Sequence, residues 1–512
     1  MRKEECSSIV PDRKTMSPRS SRPKRFKRIR SGRSNTSFLR SRTIELQIAK
    51  PSPSVYQQGM NTDPKTTTVG NIDQEILAFT AGKDIVLDLH LVEADCIGSA
   101  AHAVMLSKMP VEPPVLTEEE AKAVCTELAK IREAGAKGDF VIRPEDQDVH
   151  LAVERTLTEN LGEVGKKIHT GRSRNDQVAV DLRLFAKTQL LQLLEESADL
   201  ASALTAFGEK NVEIPLVGRT HMQPAMPSSV GLWATAYAEA VLEDIQSLQH
   251  VYDLNNRCPL GAAAGYGVPI PIDRQLTSEL LGFERPVHNV AHAIQSRGKL
   301  EYAVLQAAGQ LMITLSRIAQ DLMIFTLPEF GYFAIPKEFG TGSSIMPNKN
   351  NPDVLELLRS KAATVLGYST TVGHILHAAP GGYNRDLQDA KEPFLEGLAT
   401  TRSSTRILAR CVEGLKVNAD ACRAAFDGGV FATDAALALV ADGIPFRDAY
   451  HQTKANLAEL ENEDPDEAIK KKTHLGGTNG LAFGFYTDSI RQVQKMVSDE
   501  TSAFEAAVNK LM

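Results

Sequence analysis

The sequence predicts an all-α protein built on a bundle of long helices, and three observations predict it. Apolar residues recur at alternating steps of three and four over several stretches of about 25 to 30 residues, strict period-two alternation is nearly absent, and the intervening segments are polar and glycine-rich. In chain order, the first long stretch runs from Val178 to about Phe207. It holds no proline or glycine before Gly208 and repeats Leu182, Phe185, Leu190, Leu193, Leu194, Ala201 and Leu204. The second covers Ser228 to Tyr252, behind Pro227. The third, Gly298 to Leu327, carries Leu300, Val304, Ala308, Leu311, Leu315, Ile318, Leu322 and Phe325 before Pro328 stops it. The fourth opens at Asn351-Pro-Asp353, read as N-cap, first turn and dipole partner, with Val354, Leu358, Ala362 and Val365 as its stripe. A rod of about 45 Å is too long for one small domain to cover, so other helices or other subunits must flank it.

The chain has 512 residues, of which 42% are apolar and 24% charged, an ordinary globular balance that excludes wholesale disorder. Its length fits roughly three domain-sized units. We expect a basic extension at 1–70, an N-terminal helical domain at 71–170, the central bundle at 171–420 and a C-terminal helical domain at 421–512. The uncharged stretch Tyr302–Ser316 is broken by Gln306 and Gln310 and falls short of the roughly 18 apolar residues of a membrane span. No membrane association is expected. Cysteines at 6, 96, 125, 258, 411 and 422 form no CxxC pair, so neither a disulfide scaffold nor a structural metal is expected, and the compartment implied is the reducing cytoplasm.

The net charge of −7 hides a split: residues 1–50 hold 15 Lys and Arg against 4 Asp and Glu, leaving −18 on the rest. The Ser/Arg-rich head lacks apolar periodicity and is expected to be disordered. It reads as a nucleic-acid tail, a transit peptide, or an extension upstream of a start at Met60, and we favour a dispensable segment. The acidic body would repel phosphate, so no nucleic-acid partner is expected.

Chemistry is sought in the polar segments between the rods, 169–177, 218–227, 259–273, 338–350 and 379–391, because loops on rigid scaffolds carry most functional groups. Gly340 to Pro352 combines glycines, three hydroxyls and Lys349 ahead of a helix N-terminus, a setting that can hold a carboxylate or phosphate. It lacks Walker A spacing, and its composition also fits a plain surface loop. His169 to Gln177 packs two guanidinium groups into nine residues, suiting carboxylate recognition, or else forms a solvated turn capped by Asn175 or Asp176. Gly218 to Gln223 contains the lone His221, by itself as much a structural histidine as a catalyst.

Together these segments carry a resemblance. Gly342-Ser-Ser-Ile-Met-Pro-Asn-Lys-Asn-Asn-Pro352 resembles the GSSxMPxKxNP signature of the fumarase/aspartase superfamily, and His169–Gln177 resembles the HTGRSRNDQ segment that marks its argininosuccinate lyase branch. Thr220-His221, Pro259-Leu-Gly261, Ser296-Arg297, Thr326–Phe330, Tyr383–Glu392, Ala432-Thr-Asp434 and Gly443–Arg447 follow in the family's order, from about Phe79 to the C-terminus. The resemblance implies a homotetramer with sites shared between subunits, and a cofactor-free, metal-free elimination that splits a small molecule, argininosuccinate, into arginine and fumarate. It implies Ser343 as base, Lys349 and Asn351 as holders of the charge building on a carboxylate, and His221 oriented by Glu356. Ser173, Arg174, Asn175 and Thr220 would bind the succinyl carboxylates, and Tyr383, Arg385, Gln388 and Lys391 the arginine part, with Asp88 at the same end.

Departures from the branch are Asn350 where a second lysine is common, Arg385 in place of lysine, and Arg219, Pro224 and Met226 around the Thr-His pair. Alternatives are another lyase of the superfamily, such as one acting on adenylosuccinate, or a catalytically silent relative. Segments 169–177 and 383–392 favour the arginine substrate, and the presence of Ser343, Lys349, His221 and Glu356 favours an active enzyme.

Overall fold

The computed structural model describes residues 74–512. The basic head therefore lies outside the described residues. Short helices α1 (Val92–Ser107), α2 (Glu118–Lys137) and α3 (Val149–Leu161) precede the long α4 (Arg174–Lys210). Then come α5 (Val230–Asn255), α6 (Lys299–Phe325), α7 (Asp353–His377) and α8 (Lys391–Glu413), and beyond them α9 (Ala432–Ala441), α10 (Pro465–Lys470) and α11 (Phe483–Leu511). No helix among the described residues is long and apolar enough to cross a membrane.

The apolar stripes read from the sequence are the buried faces. Val304, Ala308, Leu311, Leu315, Ile318 and Leu322 of α6 are all shielded from solvent, as are Leu190, Leu193, Leu194 and Leu204 of α4. Burying one such side chain contributes about 1.5–3 kcal/mol, so each stripe is a strong adhesive. Cross-links fix the directions. Arg183 near the start of α4 reaches Arg257 O (2.8 Å) past the end of α5 and Ser296 Oγ (2.9 Å) before α6. At the opposite end, Trp233 and Tyr237 of α5 donate to Asp321 of α6, and Arg359 of α7 donates to Gln320. Arg402 of α8 meets Glu196 and Gln189 of α4. Thus α4, α6 and α8 run one way, and α5 and α7 the other. One end of the bundle gathers the starts of α4 and α8 and the end of α7; the other gathers the end of α4 and the starts of α5 and α7.

Local chemistry sets the helix starts, and here the sequence reading is corrected twice. Ser173, rather than Asn175 or Asp176, caps α4, and Asp176 returns the bond to the Ser173 amide as a capping box. Pro352, with no side-chain cap, precedes α7, because Asn351 is taken up by a ladder in which β3 (Thr341–Gly342) pairs with β4 (Asn350–Asn351). A third difference is that the segment read as the loop 218–227 is a hairpin, β1 (Pro215–Thr220) against β2 (Gln223–Ser229).

The buried thiols make the fold sensitive to base. Cys96, Cys125, Cys258, Cys411 and Cys422 are free and buried. Burial pushes Cys125 and Cys422 up to about 11, Cys258 and Cys411 up to about 12, and Cys96 upward as well. Folded values above the unfolded one mean stability that is complete below about pH 8.5 and is lost as pH climbs toward the folded values. Lys187 works the other way: burial lowers its ammonium to about 8, so it gains stability as pH rises through about 8 to 10. Five thiols outweigh one lysine at about 1.4 kcal/mol per unit of displacement, so unfolding free energy should fall by several kcal/mol between pH 8.5 and 11. Denaturant titrations across that range check this, with Cys411→Ala removing one share of the slope; a flat profile contradicts it.

Candidate functional site

The implied site residues fall into two clusters at opposite ends of the bundle. The first is built where α4 begins. Ser173 Oγ accepts from Asn175 N (3.2 Å), and the Arg174 guanidinium is paired with Asp148, the N-cap of α3. Burial opposes ionisation of Asp148, yet His150, Arg174 and the Leu151 amide together hold its carboxyl below the usual range. Asp176, fully buried, accepts from the amides of Gly261 (3.0 Å) and Ala263 (2.8 Å), tying the 259–273 segment to this cluster. Burial pushes its carboxyl up to about 6, against the pull of those donors.

The same end receives the segment before α8. Lys391 is buried and bonds Asp88 (2.5 Å) and Asp84 (3.1 Å), while Asp88 also accepts from Val149 N. Gln388 donates to Thr80 O (2.9 Å) and Ala81 O, Arg385 donates to Thr80 O and to Gln388, and half-exposed Tyr383 stacks under the Arg297 guanidinium at 5.3 Å. Asp88 and Lys391, linked in sequence only by resemblance, are thus a direct ion pair.

The second cluster sits at the other end. Thr220 and His221 lie at the exposed tip of the hairpin, where His221 and Met222 both adopt left-handed backbone (φ 52° and 64°). That pair of angles is the geometry of a tight two-residue hairpin turn. Arg219 stacks on Phe330 at 5.1 Å and donates to Met222 O, so two of the sequence's matching segments meet there. The β3–β4 ladder closes the neck of the glycine-rich loop, and the Thr341 hydroxyl bonds Asp353 in the first turn of α7. Inside the loop, Ser343 Oγ accepts from the amides of Met346 (3.1 Å) and Ile345 (3.3 Å). Lys349 and Glu356 are exposed, and among the described residues no hydrogen bond or ion pair joins His221 to Glu356, Ser343 or Lys349.

Between the clusters runs α4, whose 37 residues span about 55 Å. One chain therefore presents the two halves of the implied site out of reach of each other. Sequence reasoning missed the buried network behind the first cluster. His150 Nδ1 lies 2.6 Å from Asp95 and 3.5 Å from Asp181, and Arg172 reaches Ser99. Asp95, His150 and Asp181 come from α1, α3 and α4, and no spacing in the sequence marks them as neighbours. Asp95, His150 and Asp181 also bring ligand-type atoms within 4.8 Å of one another. His150 Nδ1 is hydrogen-bonded to Asp95, while the buried Asp181 Oδ2 facing the same nitrogen has no hydrogen-bond partner among the described residues.

The chain is similar to known proteins along most of its length. A family model described as "Lyase" matches residues 73–367. The chain is 40% identical over 422 residues to the argininosuccinate lyase of Parabacteroides distasonis, covering 82% of this chain and 93% of that one. It is 39% identical to the argininosuccinate lyase of Sorangium cellulosum, over 81% of this chain and 95% of the relative. Among solved structures, an EDDS lyase superposes with a TM-score of 0.73 at 22% identity, over 88% and 97% of the two chains. A fumarate lyase:delta crystallin from Brucella melitensis does so at 0.64 and 22%, over 84% and 98%. With the all-helical bundle, the hairpin and the signature loop in place, the chain belongs to the lyase family, in the argininosuccinate lyase branch of the fumarase/aspartase superfamily.

Proposed function

We propose that the chain splits argininosuccinate reversibly into arginine and fumarate. A proton leaves the succinyl carbon beside a carboxylate, the bond from the neighbouring carbon to the guanidinium nitrogen breaks, and a carbon–carbon double bond forms between them. The hard step is deprotonation, since that C–H is far too weakly acidic for water at neutral pH. The observation that carries the reading is the setting of Ser343, whose oxygen already receives two backbone amides in a loop that also holds Lys349. Amides and a cation are what a serine alkoxide needs to serve as base.

Lys349 and Asn351 would take the charge that develops on the carboxylate. Glu356, in the first turn of α7, would orient His221 for protonating or positioning the departing nitrogen, directly or through water. Ser173, Arg174, Asn175 and Thr220 would bind the succinyl carboxylates, and Tyr383, Arg385 and Gln388 the arginine part. Lys391 is already committed to Asp84 and Asp88, which supports a role for Asp88 in holding Lys391 rather than in touching substrate.

The separation of about 55 Å along α4 supports a homotetramer in which different copies complete each site. The free, buried cysteines fit a reducing cytoplasm. The test is fumarate absorbance after mixing purified protein with argininosuccinate and, separately, adenylosuccinate. Fumarate should form from the first alone; release from adenylosuccinate, or from neither, overturns the reading.

A further inference from the structure

We infer that Lys472 is a positioning residue for His221, acting through the hairpin that carries it; this rests on the role proposed for His221 above. The hairpin supports itself poorly. Both tip residues are non-glycine residues in the left-handed region, where a Cβ crowds the following carbonyl oxygen. Its second strand contains Pro224 opposite Arg219 and Pro227 opposite Val217, and a proline has no N–H to give a ladder. Support must come from outside, and it comes from two sides. On the bundle side, Arg219 rests on the Phe330 ring. On the other side, Lys472 Nζ donates to Pro227 O at 2.8 Å and pairs with Asp434 at 3.3 Å, both side chains being largely shielded.

That lysine is itself rigidly mounted. It follows α10, and its carbonyl accepts from Asn479 N (3.1 Å). Asn479 Nδ2 reaches Lys470 O (2.9 Å) and Thr478 Oγ1 reaches Ile469 O, so the 473–480 loop folds back on the end of α10. At Gly480 an added Cβ would lie 2.0 Å from His474 O, which leaves no room for a looser path. Asp434 belongs to the Ala432-Thr-Asp434 segment, which the proposed chemistry leaves unused. The clasp gives that segment a role, because a charge-assisted bond from a fixed mount to the strand at its proline sets where the tip, and with it the imidazole, points.

The experiment compares Lys472→Met, Lys472→Arg and the control Lys470→Met, whose exposed ammonium pairs with the exposed Glu467 and not with the hairpin among the described residues. Misplacing a reacting group by about 1 Å costs up to 100-fold in rate, so for Lys472→Met we expect kcat on argininosuccinate to fall about tenfold or more with KM within about twofold. Lys472→Arg should recover most of the loss, and the control should show none of it. Hydrogen–deuterium exchange of the peptide spanning 215–229 should speed up in Lys472→Met alone. Unchanged exchange there, or a kcat loss that arginine does not repair, overturns the inference. If the parent fails to cleave argininosuccinate, the functional reading falls while the exchange measurement still decides the clasp. If Lys472→Met does not fold, Asp434→Asn probes the same contact, with faster exchange in 215–229 expected and unchanged exchange counting against it.

Discussion

Replacing Ser343 with alanine should leave a folded protein that binds substrate and turns it over at least about 100-fold more slowly, a loss of about 3 kcal/mol or more of transition-state stabilisation. The fold has little reason to suffer. Ser343 is half-buried in a surface loop, and among the described residues its oxygen accepts from the Ile345 and Met346 amides alone. Those amides regain water when the hydroxyl is gone, so the stability cost of the change is that of an ordinary surface substitution, about 0.5 kcal/mol or less. The chemical cost is different in kind, because among the described residues Ser343 is the loop hydroxyl that receives backbone amides, whereas Thr341 is bonded to Asp353, no amide reaches Ser344, and Asn351 is neutral and held in the β3–β4 ladder. Steady-state kinetics alongside thermal melting separate the two effects. Turnover within tenfold of the parent, with an unchanged melting point, would remove Ser343 from the role of base.

Periodicity made the rods legible because it is a local signal backed by burial. The stripe from Val304 to Leu322 is both a pattern in the chain and the buried face of α6. The hairpin was not legible for a physical reason. Its turn lacks the Asn-Gly or Gly-rich pair that announces such turns, and its second strand holds two prolines. Contacts from far along the chain, Phe330 and Lys472, supply the support that local propensity does not. The network of Asp95, His150 and Asp181 was hidden for the same reason, its members lying on three helices with no shared spacing. Hidden too was the distance between site segments. Residues 173 and 221 are close in sequence, and both belong to recognisable motifs. Yet a helix converts that short separation into nearly its full length, whereas a loop would have let the two ends meet.

That conversion yields the second large effect. Suppose Arg174→Gln disables the cluster at the start of α4, and His221→Asn disables the hairpin at its end. Each variant alone should be nearly inactive. If a site drew both groups from one chain, co-assembling the two variants would restore nothing, because every chain carries a defect. With about 55 Å of helix between the groups, the proposed shared site would take them from different copies. In a random equal mixture, a given site then receives its α4 end from a His221→Asn chain half the time, and its hairpin from an Arg174→Gln chain half the time. About a quarter of the sites should be intact, so co-expressed or co-refolded mixtures should reach about 25% of parental activity, far above either variant alone. The remainder of the scaffold is untouched: His221 is exposed and bonded to no other side chain among the described residues, and Arg174 is only partly buried against Asp148. A mixture no more active than its components, with mixed tetramers demonstrated by native mass spectrometry, would mean that one chain bends both groups into reach, which a continuous 37-residue helix does not allow.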